Sequence, residues 1–257
     1  MKTANRIWEV VYPVLMYYAT ISIGILLAQL ILGSSNESYM HCKIIGSLIT
    51  IPVVYQDYKI EKTFQVCNTQ VLFTKETGKN IAFILFISAT MSIALNNLIC
   101  MSPLVTASVE FENASNALYG SKNLGLEILG SALITPFLEE MLHRGVVYNR
   151  LRRRGSMWSA ILLSSFIFAV LHFNIVQFTY AFLLGIVLAI FMEKTKHLYA
   201  PVLAHITANA IAVIRTETGF LQSTVDGSIS AWMISIGLLC IGIGGSFLYI
   251  KKENKKS

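Results

Sequence analysis

Four residues with charged or titratable side chains lie close together in an otherwise apolar stretch, residues 131–154. They are Glu139, Glu140, His143 and Arg144. Because a charged side chain at bilayer depth costs about 2.5 to 3.5 kcal/mol on insertion scales, these residues need partners. Glu140 and Arg144 are four residues apart and share a helical face, as do Glu139 and His143. Adjacent glutamates point about 100° apart on a helix, so Arg144 can pair well with only one of them and the other carboxylate is available for chemistry.

Two further polar motifs occur in apolar stretches downstream. Phe168 and His172 form the first, and His205 and Asn209 form the second. His205 and Asn209 share a helical face and can present hydrogen-bond donors to one point, as a developing oxyanion requires. His172 can accept a proton near neutral pH, and a glutamate shielded from water can be tuned toward the same range. A carboxylate, two histidines and an asparagine are the groups needed to activate water and to stabilise a tetrahedral intermediate.

Each residue also has a purely structural interpretation. A lone histidine or asparagine such as Asn209 on an apolar helix commonly packs or forms an interhelical hydrogen bond. The pair Glu140 and Arg144 could serve only to hold the helix, and Phe168 is expected in the core or facing lipid. His143 is interpreted as incidental. The argument for catalysis therefore depends on the combination of motifs.

The composition indicates a membrane protein. The chain has 257 residues, of which 54% are hydrophobic and 13% charged, with a mean hydropathy of +0.61. This length suits one polytopic domain better than two soluble ones. The net charge of +6 comes from short loops between apolar runs, so it indicates membrane orientation and not nucleic-acid binding.

The apolar runs predict an all-α bundle of about eight transmembrane helices. The predicted spans cover residues 8–32, 39–55, 81–101, 131–154, 157–172, 176–192, a segment beginning near Tyr199, and 229–250. The second span is short and contains Lys43, which makes its bounds the least certain. The sequence leaves open whether the polar segment 56–80 includes an interfacial helix.

The basic residues predict the orientation. Sixteen of the 20 Lys and Arg fall at the N-terminus, after spans two, four and six, and in the C-terminal tail. The positive-inside rule then places both termini in the cytoplasm. The four exceptions are Lys43, Lys122, Arg144 and Arg215. Residues 150–154, which are rich in arginine, are interpreted as a topology signal on a solvated face.

Helix geometry predicts unequal depths for the polar residues. At 1.5 Å per residue, Glu139 lies about 16 Å from Arg150, whereas His172 lies about 22 Å from Met157. Bringing these residues to one level requires tilted helices or a later start for span five.

The three motifs together resemble those of a known family. The order E-E-x-x-x-R at 139–144, F-x-x-x-H at 168–172 and H-x-x-x-N at 205–209 is similar to that of the CPBP family of intramembrane proteases, also called Abi. This family includes the CAAX prenyl endopeptidases and bacterial proteins linked to bacteriocin processing and self-immunity. Within a single membrane domain, 1–257, the resemblance defines a family core at 124–212, preceded by the spans of 1–123 and followed by the last span and basic tail, 213–257.

The resemblance implies roles for six residues. Glu139 and His172 activate the attacking water, and His205 and Asn209 stabilise the oxyanion. Glu140 and Arg144 fix the helix and the charge state of the site.

One departure from the family pattern concerns metal binding. The family commonly has an aromatic residue before the motif arginine, whereas this chain has His143. Glu139, His172 and His205, with His143 as a fourth ligand, are types that suit zinc. The chain has no H-E-x-x-H helix, so a divalent metal such as zinc is not required by the sequence and stays open.

The expected function is that of a membrane-embedded endopeptidase. The resemblance implies hydrolysis of a membrane-associated peptide or protein in the lipid bilayer of a bacterial plasma membrane, with bacteriocin processing or self-immunity as a more specific role. Access from the cytoplasm is expected if substrates resemble C-terminal tails. The alternatives are a non-catalytic immunity or binding protein and a small transporter, although the two similar halves typical of transporters are not evident in the sequence.

Overall fold

The computed structural model describes residues 2–64 and 75–251. These residues form an all-α bundle, which confirms the predicted fold class. The helices are α1 (Lys2–Leu32), α2 (Asn36–Phe64), α3 (Lys75–Cys100), α4 (Val109–Leu118), α5 (124–152), α6 (Met157–Val170), α7 (Ile175–Thr195), α8 (Tyr199–Thr218) and α9 (Ile229–Lys251), with a 3₁₀ turn (Gln222–Val225) before α9.

The chain is a multi-pass membrane protein. Within the described residues, four helical segments are long and apolar enough to cross a membrane: Ile7–Leu32, Thr77–Cys100, Ile175–Thr195 and Ile229–Lys251. The helices α2, α5 and α8 are also long enough but carry the charged residues of the interior, and α6 has only 14 residues. The count of eight spans therefore stays a prediction, because each of these four helices fails one of the two conditions, length or apolar composition.

Close packing joins the first two helices. A Cβ added to Gly24 of α1 would lie 2.8 Å from the Cα of Gly46 in α2, so the two backbones touch. Small residues permit such an approach between helices in lipid. The pair α1 and α2 then packs against α5, while α3, α5 and α7 surround α8. Since α5 and α8 carry most of the motif residues, this arrangement brings the motifs together.

The helix α5 changes its hydrogen-bonding register twice. It is π-helical at Ile128–Ile134 and at His143–Tyr148, and α-helical at Thr135–Leu142 between them. Short π-helical stretches often mark functional sites. Here they flank the turns that carry Glu139 and Glu140.

Three predicted bounds differ from the structure. The second helix continues nine residues past the predicted end at Tyr55, to Phe64, because its last turns carry Asp57 and Glu61, which have arginine partners. The predicted polar segment 56–80 is thus partly α2 and partly α3, and its middle lies outside the described residues. The helix α6 begins at Met157, as predicted for span five, but ends at Val170, so His172 lies in the turn after the helix and not on it.

The interpretation of residues 150–154 as a solvated face holds for Arg153 and Arg154, which are exposed, but is wrong for Arg150. Arg150 is buried, with 7% of its surface exposed. Its guanidinium donates to Asp57 at 2.7 Å, to Glu61 at 2.7 Å and to the carbonyl of Glu9 at 2.5 Å. Its neighbours also form ion pairs: Arg153 with Glu61, Arg154 with Glu9, and Arg152 with Glu193 at 3.3 Å. We call this part of the molecule the basic end. It joins α1, α2, α5 and α7.

Replacing Arg150 by Gln should lower the free energy of unfolding by about 2 kcal/mol, because it removes a buried charge partner. Arg153 still neutralises Glu61, which limits the loss. Arg152→Gln is the matched control: the Arg152 side chain is 40% exposed, so its ion pair is worth about 0 to 1 kcal/mol. Thermal unfolding of both variants in detergent micelles measures the difference, and equal melting temperatures would contradict this account of the basic end.

Candidate active site

A cavity of about 860 Å³ contains the predicted catalytic side chains. Glu139, His172, His205 and Asn209 all line it. Its wall is formed by the halves of α1, α2, α3, α5, α6, α7 and α8 that lie away from the basic end, and α4 contributes Phe111 and further residues. The structure thus brings residues from three distant parts of the sequence to one cavity at the opposite end of the bundle.

Glu140 and Arg144 form the predicted pair, and both side chains are fully buried. Arg144 Nη1 donates to Glu140 Oε1 at 2.8 Å, and both side chains have 0% exposure. Arg144 Nη2 donates to the carbonyl of Gly185 in α7 at 3.0 Å. Neither residue lines the cavity. The pair therefore ties α5 to α7 behind the cavity wall.

His205 lies between the two adjacent glutamates. Its Nδ1 is 2.9 Å from Glu140 Oε1, and its Nε2 is 3.9 Å from Glu139 Oε2. A carboxylate paired with Arg144 accepts hydrogen bonds, so Nδ1 of the imidazole is the donor to Glu140. This contact fixes the orientation of the ring and turns Nε2 toward Glu139.

His172 is fixed in a similar way by the backbone. Its Nδ1 lies 3.0 Å from the carbonyl oxygen of Phe168. A carbonyl can only accept, so Nδ1 carries the proton and Nε2 of the neutral ring has a free lone pair. His172 can therefore accept a proton through Nε2, as the sequence predicts for a residue that activates water.

Phe168 is at the centre of the site and is not lipid-facing. Its side chain is 2% exposed. The rings of His143, His172 and His205 meet its ring at centroid distances of 5.0, 5.1 and 5.6 Å. The guanidinium of Arg144 lies 4.7 Å from the same ring. The F-x-x-x-H motif thus provides a hydrophobic platform that packs against the titratable groups.

His143 takes the place of the aromatic residue that the family commonly has. It is buried, with 2% exposure, and contacts the edge of Phe168. It does not line the cavity, unlike Glu139, His172 and His205. Among the residues that the structure describes, no three His, Cys, Asp or Glu side chains are close enough together to hold a metal ion. A divalent metal held by Glu139, His172 and His205 stays a prediction, which the chelator arm of the experiment below tests.

Asn209 links α8 to α5 because of a proline. The carbonyl of Ser131 would accept from residue 135 in an α-helix or from residue 136 in a π-helix. The N–H of Thr135 donates instead to Gly130, and Pro136 has no N–H. Asn209 Nδ2 donates to the free Ser131 carbonyl at 2.9 Å. The interhelical role considered for Asn209 is therefore present, and its amide has a second N–H that can serve a ligand in the cavity.

Gly185 permits the close approach of Arg144. A Cβ at this position would lie 3.2 Å from Arg144 Nη2, 3.2 Å from Ser165 Cβ and 3.4 Å from Phe168 Cδ1. Gly185→Val should lower the free energy of unfolding by about 1 to 3 kcal/mol through overpacking and should also reduce activity by displacing Arg144. Gly237→Val in α9 is the control, since nothing lies within 4 Å of a Cβ there. Equal stability of the two variants would show that this contact is not tight.

Two cations of the cavity wall were not among the predicted site residues. Lys43 and Arg215 both line the cavity, and Lys43 interacts electrostatically with Glu139. The signal that could have found them is in the sequence: both are exceptions to the positive-inside distribution. A cation on an apolar helix away from the basic end is costly and is therefore a candidate for function.

Comparison with known proteins gives a family match for the middle of the chain. Residues 121–211 match the family described as "Type II CAAX prenyl endopeptidase Rce1-like". The "Putative membrane peptidase YdiL" of Bacillus subtilis (strain 168) is 29% identical over 105 residues, which are 41% of this chain and 43% of that protein. The "Uncharacterized 24.3 kDa protein" of Escherichia coli is 29% identical over 94 residues, 35% of this chain and 43% of that protein. No solved structure matches the chain.

The fold and the site define a multi-pass helical membrane protein with a glutamate and histidine cavity. The family match confirms, for residues 121–211, the resemblance to the CPBP family that the motifs predict. The chain spans less than half the length of either relative. The activity of the whole protein is therefore treated below as a proposal.

Proposed function

We propose that the protein is an intramembrane endopeptidase in which a glutamate activates water. The observation that carries this proposal is that Glu139, His172, His205 and Asn209 line one cavity. The matched family, described as prenyl endopeptidases, supports the same reaction class. The substrate would be a membrane-associated peptide or protein. Bacteriocin processing or self-immunity is the biological role that the family resemblance suggests.

The proposed reaction begins with a water molecule held between Glu139 and His172 Nε2. Glu139 takes a proton from the water as its oxygen bonds to the carbonyl carbon of the peptide. The oxyanion that forms accepts hydrogen bonds from the second amide N–H of Asn209 and from Nε2–H of His205. The carbon–nitrogen bond then breaks, and the proton on Glu139 moves to the leaving nitrogen. The products are a carboxylic acid and an amine, so atoms and protons balance without another reactant.

The tautomer of His205 sets a condition on this mechanism. Nδ1 is bound to Glu140, so His205 can donate to an oxyanion only through Nε2. Donation from both nitrogens requires the doubly protonated ring. Glu140 and Arg144 do not line the cavity, and we assign them as positioning residues that hold His205 and α5.

The position of the cavity bears on how substrates enter. The cavity lies at the end of the bundle away from the basic end, which the positive-inside rule assigns to the cytoplasm. We therefore propose that substrates enter the cavity from the face of the membrane opposite the cytoplasm. This differs from the cytoplasmic access expected for substrates that resemble C-terminal tails. The helix α4 borders the cavity with Phe111 and Leu118. A peptide would pass this helix to reach Glu139.

A peptide panel tests the proposed activity. Purified protein in detergent micelles is incubated with membrane-proximal peptides, with and without a chelator, and mass spectrometry locates each cut. We expect hydrolysis of a peptide bond with the same products in both conditions, because the described carboxylate and imidazoles suffice for the mechanism. Loss of cleavage with the chelator would overturn the metal-free mechanism. Absence of cleavage across the panel would favour the non-catalytic immunity or binding function.

A further inference from the structure

Arg215 is a buried cation without a counter-charge. It lies on α8 and lines the cavity, yet only 7% of its surface is exposed. Its Nη1 donates to the amide oxygen of Asn97 at 2.5 Å, and its Nη2 has no hydrogen-bond partner. Among the ion pairs of residues 2–64 and 75–251, none includes Arg215. The guanidinium is thus held by a neutral group alone.

The other buried arginines of the bundle differ in this respect. Arg144 has Glu140, and Arg150 has Asp57 and Glu61. Breaking such a buried pair usually costs about 3 to 5 kcal/mol, because one charge is left uncompensated. Arg215 is in that uncompensated state in the described structure, and an anion bound in the cavity would relieve it.

The surroundings of Arg215 hold it in a fixed position. Asn97 Nδ2 donates to Ser235 Oγ at 3.0 Å, and Thr224 Oγ1 donates to Asn97 Oδ1 at 3.2 Å. These residues come from α3, α9 and the 3₁₀ turn, so three elements position one guanidinium. A preorganised binding group loses little entropy when a ligand arrives.

The charges on the cavity wall favour an anionic ligand. Glu139 is the one carboxylate among the described lining residues, whereas Lys43 and Arg215 are both cations. The planar guanidinium matches the geometry of a carboxylate better than that of other groups available in a peptide.

The distance from Arg215 to the catalytic residues determines how many peptide residues separate the carboxylate from the reacting bond. Arg215 follows Asn209 by six residues and His205 by ten, which is about 9 Å and 15 Å along the helix axis. An extended peptide covers that distance in about three to five residues, at about 3.3 Å per residue. The carboxylate and the reacting bond can thus belong to one short extended segment.

We propose that the Arg215 end of the cavity is a carboxylate subsite that anchors the peptide substrate a few residues from the bond that is cut. The carboxylate is either the free C-terminus of the peptide or the side chain of an Asp or Glu. The inference rests on the proposed function for the reaction, but binding at the subsite can be measured without it. It makes Arg215 a specificity-determining residue.

Binding to an uncleaving protein tests the subsite. The Glu139→Gln variant in detergent micelles is titrated with fluorescently labelled short apolar peptides in three forms: with a free C-terminus, with an amidated C-terminus, and with an acidic residue exchanged for its amide. We expect the preferred carboxylate form to bind about 10- to 100-fold more tightly than its neutral counterpart, as for a hydrogen bond to a charged group. The form whose neutralisation weakens binding identifies the source of the carboxylate.

The second arm adds Arg215→Gln to the same protein. This variant should bind the carboxylate and neutral forms with about equal affinity, because the preference depends on the guanidinium. Arg215→Lys keeps the charge without the planar fork and should retain part of the preference, and it decides the question if Arg215→Gln does not fold. An unchanged preference in either folded variant, or none in the parent, would overturn the subsite. If the preference is present but the wild-type protein cuts no peptide, the proposed function fails and the subsite stands. If the wild-type protein cuts a peptide but shows no preference for carboxylate, the subsite fails and the proposed function stands.

Discussion

Exchange of Glu139 for Gln should lower kcat by about 10²- to 10⁴-fold, the usual contribution of a general base. Gln has nearly the same shape as Glu but is neither charged nor basic, so it cannot take the proton of water. The Glu139 side chain is 18% exposed in the cavity, and its ion-pair contact, His205 Nε2, is 3.9 Å away. That distance is too long for a hydrogen bond, so the fold does not depend on this contact.

The expected result for Glu139→Gln is therefore an inactive protein of normal stability. Thermal unfolding and size-exclusion profiles in micelles check the stability, and cleavage rates of the most rapidly cut peptide check the activity. Glu112→Gln is the matched control, because Glu112 lies on α4 and does not line the cavity. Full activity of Glu139→Gln would contradict the assignment of Glu139 as the base.

Arg144→Ala should have the opposite signature, a loss of folded protein. The substitution leaves Glu140 buried and without its cation, which costs about 3 to 5 kcal/mol. It also removes the hydrogen bond to the Gly185 carbonyl and the contact with the ring of Phe168. The expected measurement is a lower yield of folded protein and a lower melting temperature.

Two variants give this second prediction its controls. Arg152→Ala removes an arginine whose side chain is 40% exposed, and it should change the free energy of unfolding by about 1 kcal/mol or less. The double variant Glu140→Gln/Arg144→Gln removes both charges and should recover part of the stability that Arg144→Ala loses. A normally folded and active Arg144→Ala would show that the pair does not stabilise α5.

The positions of the motif residues could be predicted well from local helix geometry. Spacing alone pairs Glu140 with Arg144 and places His205 and Asn209 on one face, because helical periodicity is a local property. The same rule leaves Glu139 without the arginine, and Glu139 is the glutamate that lines the cavity. The all-α class and the order of the long helices also follow from the apolar runs.

Contacts between distant helices could not be predicted in this way. Nothing local to His205 indicates that its Nδ1 meets Glu140, which is 65 residues away. Phe168 looks like any core or lipid-facing aromatic residue until the helices are packed around it. The burial of Arg150 could not be predicted for the same reason, because its acidic partners lie on α2, about 90 residues earlier in the chain.

The bond between Asn209 and Ser131 is an intermediate case. Pro136 in the sequence indicates a backbone carbonyl without its usual partner, and a lone asparagine on another apolar helix is a suitable donor. The residues are 78 positions apart, so the sequence supplies both partners but not their proximity. Lys43 and Arg215 were also visible as charges out of place, although their shared cavity was not.

The measurement that tests the central claim most directly is an experimental structure of the Glu139→Gln variant with an uncleaved peptide bound. The account predicts a peptide in the cavity, with the carbonyl oxygen of one peptide bond about 3 Å from Asn209 Nδ2 and the carbonyl carbon facing the side chain at position 139 and Nε2 of His172. A peptide bound outside the cavity, or held there with no carbonyl near Asn209, would contradict it.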